Sequence, residues 1–112
     1  MTDCQLLVLA AKANGVRWVD ETFLYEDFGR MMVDFGEGIQ EWNPLQNNEQ
    51  AFELIVKLKL MLSLHENREA HVIWWDKKGR GEVIEKWTPA HDSLACTRLA
   101  IVRAAAEIGR AM

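Results

Sequence analysis

Three histidines, seventeen acids and two cysteines are the side chains through which this chain could do chemistry. His65-Glu66 opens the run H-E-N-R-E, which lacks the second histidine that a zinc-protease helix places four residues on. It also falls at the end of a strand-like run, the wrong element for such a site. His71, His91 and Asp92 have no ligand spacing of their own, and would meet around a metal only through tertiary proximity. The triplet Asp-Phe-Gly occurs twice, at Asp27-Phe28-Gly29 and Asp34-Phe35-Gly36. Its magnesium-holding role in protein kinases needs a glycine-rich loop, a strand lysine and a catalytic loop, and none of these motifs occurs. Paired carboxylates at Asp20-Glu21 and Glu26-Asp27 are the types used in general acid–base work. Acids this dense in polar turns are ordinarily solvated. No serine or cysteine has a histidine base beside it in sequence, and no glycine-rich phosphate cradle opens a helix. The residues therefore point away from an enzyme, and assign no catalytic, cofactor-binding or metal-ligating role.

Two stretches carry binding chemistry instead. Lys77, Lys78, Arg80 and Lys86 lie among Trp74, Trp75 and Trp87. Bases of single-stranded nucleic acid stack on exposed aromatics beside such cations. Glu82 and Glu85 dilute that charge, so tryptophans in a core with lysines at a soluble hairpin tip is the competing reading. The net charge of −4 argues against duplex nucleic acid, whose phosphates require clustered Lys and Arg. From Asp20 to Glu41 seven acids face one base, Arg30, giving the segment a charge of −6. Such a segment is either a solvated edge or a docking surface for a basic partner. On the second reading Glu21, Glu26, Asp27, Glu37 and Glu41 make the contact.

The elements that must position these groups follow from periodicity and punctuation. A length of 112 residues, 49% hydrophobic with two prolines, fits one domain with one core. No apolar run approaches the ~20 residues a membrane helix needs. The first helix is expected to start with Asp3 as N-cap and stop at Asn14-Gly15. Strands are expected at 16–19 and 30–35. Asn47 with Gln50 resembles a capping box opening a second helix. Ala51, Phe52, Leu54, Ile55 and Leu58 mark one face of that helix. Leu60, Leu62 and Leu64 then alternate as a strand. A hairpin follows, 70–76 and 81–87 around Lys77-Lys78-Gly79, with Gly79 in the left-handed position of its turn. Asp92 or Ser93 caps a final helix that runs to Ile108-Gly109. Cys4 and Cys96 fall in helix-like contexts at opposite ends of the chain, and read as thiols.

Trp74 and Trp75 decide the fold expectation. Adjacent strand residues point to opposite faces, and Val72, Ile73, Val83, Ile84 and Trp87 also put bulk on both sides. A half-solvated antiparallel sheet would alternate apolar with polar. The expectation is an α+β fold: a three-layer α/β/α sandwich with a mainly antiparallel sheet, helices on both faces and both indoles buried.

Two motifs point further. Glu41-Trp42-Asn43-Pro44-Leu45 leads into an amphipathic helix, and the chain closes with Ala100-Ile101-Val102-Arg103-Ala104-Ala105. This W-N-P-L connection, hairpin and alanine-rich closing helix resemble the phage α-β-α sandwich domain family, small phage and prophage proteins such as the NinX group. The resemblance spans residues 40–110 and departs at Gln46-Asn47-Asn48. It transfers Trp42, Asn43 and Pro44 as structural signature only. What it implies is an accessory protein in the host-cell cytoplasm that binds a host or phage protein with a basic surface, including a defence complex, without a cofactor. The alternative is a single-stranded nucleic-acid module built on hairpin 74–87.

Overall fold

The computed structural model describes residues 2–15, 17–18, 32–34, 39–89 and 92–112. Helix α1 (Asp3–Asn14) begins one residue earlier than its acid suggested. Thr2 is the N-cap, its hydroxyl accepting from the Gln5 amide while the Gln5 side chain accepts from the Thr2 amide. Asp3 instead sits in the first turn, where a negative charge meets the positive helix end. Gly15 closes the helix in the left-handed conformation, as Asn14-Gly15 predicted.

Three short strands, β1 (Arg17–Trp18), β2 (Met32–Asp34) and β3 (Ile39–Glu41), pair antiparallel in that order. Strand β3 falls where the sequence reads as connection. The chain then passes through Trp42-Asn43-Pro44 into α2 (Asn48–Leu58). Trp42 is 1% exposed and Pro44 is buried, so this connection is anchored in the core. Asn43 Oδ1 accepts from the Leu45 amide at 3.2 Å, closing an Asx-type turn. Asn47 caps α2 by accepting from the Gln50 amide, but the reciprocal half of a capping box is missing. Gln50 turns its side chain back to the connection, accepting from the Asn43 amide and donating to the Glu41 carbonyl.

Lys59, at φ 55, ψ 47, ends α2 and drops the chain directly into β4 (Met61–His65). Strands β5 (Glu69–Asp76) and β6 (Gly79–Lys86) complete a second antiparallel sheet of order β4-β5-β6. At the hairpin, Asp76 pairs with Gly79, so the loop is Lys77-Lys78 alone and β6 begins two residues before the expected Gly81. Asp76 Oδ1 accepts from the Lys78 amide, and Gly79 has a positive φ of 122° as the first residue of the strand, outside the turn. Helix α3 (Ser93–Arg110) is capped by Asp92.

The fold is α+β with an antiparallel sheet. Its centre is α3, which packs against β5 and β6 on one side and α1 on the other, with α2 alongside. Ala100, Ile101, Val102, Ala104, Ala105 and Ala106 are all buried, so apolar positions wrap most of the helix, as an enclosed helix requires. Gly109 lies inside this helix rather than ending it. A Cβ there would sit 1.9 Å from the Leu9 carbonyl oxygen, so the glycine sets how closely α1 and α3 approach.

The two indoles separate. Ala70, Val72, Trp74 and Val83 form the face under α3, and Trp74 lies across Gly81, its cross-strand partner. Trp75 is 59% exposed on the opposite face, which corrects the expectation that both tryptophans are buried beneath helices. A strand can carry bulk on both faces while one face stays open, because each side chain is buried only by what packs over it. No described helix is long and apolar enough to cross a membrane.

Candidate functional site

The open face of β4–β5–β6 gathers the side chains with the most capacity for recognition. Period-two alternation and the observed register arrange them in rows. Trp75 stands opposite Arg80, and Ile73 lies between Met61 and Glu82. His71 lies between Ser63 and Ile84, and Glu69 between His65 and Lys86. Met61 is 49% exposed and Ile84 44%, so with Trp75 they present apolar surface to solvent. Isolated exposed apolar residues are ordinary, but a cluster on one sheet face marks a contact region.

Charge on this face is internally balanced. Arg80 Nη2 donates to Glu82 Oε2 at 2.8 Å, so the guanidinium opposite Trp75 is already engaged. Across the sheet, Glu69 faces Lys86 and accepts from His71 Nε2 at 3.0 Å and Asn67 Nδ2 at 3.0 Å. The His71 bond, reinforced by Asn67, holds the Glu69 carboxyl below the usual carboxylate range. Lys77 and Lys78 are exposed at the hairpin tip and have no carboxylate partner among the described residues.

Beside that carboxylate lies a polar cluster not anticipated from the sequence. Ser63 Oγ and His65 Nε2 are 3.1 Å apart, and the His65 and His71 rings stack at 3.9 Å. The available signal was Ser63-Leu64-His65 within an alternating run, which places the two polar side chains on one face. A nucleophilic serine needs its histidine oriented by a third group, and here the carboxylate bonds to His71 instead of His65. Stacking fixes neither the tautomer nor the direction of the His65 ring nitrogens. The cluster therefore organises the strand surface and lacks the connectivity of a catalytic triad. No group of three or more metal-ligating side chains occurs among the described residues.

The remaining predicted positions divide plainly. Glu21, Glu26, Asp27 and Glu37 lie outside the described residues, as do His91 and both Asp-Phe-Gly glycines. Glu41 ends β3 as an exposed side chain. Lys77, Lys78 and Arg80 sit together at the hairpin, as their spacing required. Asp92 serves α3 as its cap, accepting from the Leu94 amide at 2.9 Å. Cys96 is a half-buried thiol whose pKa is raised by desolvation and then by the nearby Glu85. No family model matches this chain, and neither the curated proteins nor the solved structures contain a match.

Proposed function

We propose that this chain is a non-catalytic protein-binding module, a phage or prophage accessory protein acting in the host cytoplasm on a host or phage protein with a basic surface. A host defence complex is one such target. The observation that carries the reading is the open sheet face, where Met61, Trp75 and Ile84 are exposed between balanced charges. Aromatic anchors surrounded by paired charges suit a desolvated protein contact better than a phosphate backbone. The −6 segment of Asp20–Glu41 adds long-range attraction for a basic partner. The phage assignment rests on the W-N-P-L connection and closing helix described above.

Affinity purification from phage-infected host cells tests this, comparing the native chain with Trp75→Ala and with the double reversal Glu26→Lys, Asp27→Lys. The expected outcome is a basic protein retained by the native chain and lost with Trp75→Ala. The double reversal should weaken capture most at low salt, since exposed charges are screened beyond about 8 Å at physiological ionic strength. Retention unchanged in both variants would end the proposal.

Single-stranded nucleic acid is the second reading, favoured specifically by the exposure of Trp75 near Lys77 and Lys78. Titration with an oligonucleotide separates the two. Tryptophan quenching that falls steeply with salt and disappears in Trp75→Ala would select nucleic acid over protein.

A further inference from the structure

A groove of about 700 Å³ opens on the other side of the sheet, between α2, α3 and β4. Its floor is apolar, with Ala51, Ile55, Leu62 and Ile101. Three of its lining residues are large apolar side chains left mostly in solvent: Phe52 at 62%, Leu64 at 62% and Leu94 at 59% exposure. Each comes from a different element, so the exposure is a property of the concavity and not of one frayed helix. Phe52 in particular leaves the buried face its helical spacing predicted, and turns toward the groove.

Among the described residues, one cation lines this groove. Arg98 on α3 donates from Nε to the Leu45 carbonyl at 2.7 Å and from Nη1 to Asn48 Oδ1 at 2.6 Å. Both partners are neutral, and Nη2 meets no acceptor among the described residues. The fork is therefore held in place by two bonds, and no carboxylate among the described residues pairs with its charge. Asn48 and Ser93, the first residues of α2 and α3, also line the groove, but Glu49 in the first turn of α2 and the Asp92 cap of α3 offset the positive helix ends, which leaves Arg98 as the group to hold an anion. Glu66, in the turn after β4, lines it too, but makes no ion pair with Arg98.

We infer that this groove binds a small amphiphile with an apolar body and a single carboxylate, the carboxylate on Arg98. The volume falls within the range of about 300–1,000 Å³ typical of small-molecule sites. An apolar floor disfavours a polar metabolite, and a half-buried guanidinium with no ion-pair partner among the described residues selects an anion over a neutral or cationic head. The occupant is a medium-chain fatty acid or an arylalkanoic acid. This site is separate from the open sheet face, and stands whether or not that face binds protein.

Calorimetric titration with decanoate, decan-1-ol and decyltrimethylammonium tests it, with methyl NMR of Ile55, Leu62 and Ile101 locating the site. Decanoate is expected to bind at least about tenfold more tightly than decanol, the scale of one charge-assisted hydrogen bond. Arg98→Gln should remove that preference while decanol binding persists. Because Arg98 also fastens the connection before α2, a second variant guards against misfolding. Leu94→Glu places an acid in the first turn of α3, where the helix end favours it, and should weaken decanoate at least about tenfold with the fold intact. Equal binding of decanoate and decanol overturns the inference, as does a preference that survives Arg98→Gln. Methyl shifts confined to Ile73 and Ile84 would place the ligand on the other face and overturn it equally. So would groove signals that broaden with protein concentration and never respond to decanoate, which would make the groove a contact between copies.

Discussion

At the scale of single residues, two neighbouring tryptophans have different jobs. Trp74 is 8% exposed and rests over Gly81, whereas Trp75 is 59% exposed beside Arg80. Truncating Trp74 to alanine removes a large buried side chain, and should destabilise the fold by about 3–5 kcal/mol. Trp75→Ala should change stability by only about 0.5 kcal/mol, as exposed substitutions do. Urea denaturation of both variants checks the contrast, and equal losses would mean that Trp75 is covered in solution. Glu69 gives a second prediction at this scale. Its carboxyl is held low mainly by the bond from His71, so its folded-state pKa is below its unfolded value. The resulting stabilisation is present above the ordinary carboxylate pKa, and is lost as pH falls through the depressed one. Glu69→Gln should therefore be less stable than the native chain near neutrality, and the gap should close in acid. A gap that widens on acidification would reverse the assigned sign.

At the scale of elements, the pairing of α1 with α3 depends on the absence of a side chain. Glycine inside a helix is ordinarily about 1 kcal/mol worse than alanine, so Gly→Ala in a helix generally stabilises. At Gly109 the sign should invert, because the added methyl would meet the Leu9 carbonyl at 1.9 Å, backbone that cannot rotate away. Gly109→Ala should cost about 1–3 kcal/mol, the range for overpacking a close contact. Thermal denaturation decides it: a rise in midpoint would show that the helices stand further apart. The small residues Ala10, Ala11, Ala105 and Ala106 are buried with it, so the interface is built from close backbone approach more than from large side chains.

At the scale of the whole molecule, the core forms without covalent help. Cys4 and Cys96 are both thiols, one on α1 and one on α3, in a fold whose cohesion comes from the wrapping of α3 by the sheet and α1. The denaturation midpoint should be the same with and without reductant, and a fall on reduction would reveal a bridge. Cys96 should also alkylate more slowly than a thiol in an unfolded control, since burial and Glu85 disfavour its thiolate.

Much of this was legible in the chain because it depends on neighbours in sequence. Asn14-Gly15 stops α1, Asn47 caps α2 and Asn43 closes the turn after Trp42, each through bonds spanning a few residues. Period-two alternation likewise placed Lys77, Lys78 and Arg80 at one hairpin. The exposure of Trp75 was not legible, because a strand pattern records which side chains share a face and not what lies over that face. Nor was the groove, whose walls come from Phe52, Leu64 and Leu94 on three elements. Arg98 reads in sequence as one more solvated cation on an alanine-rich helix. Only the packing of α3 beside α2 brings it to the Leu45 carbonyl and Asn48, 53 and 50 residues away along the chain, and leaves its charge facing an apolar hollow.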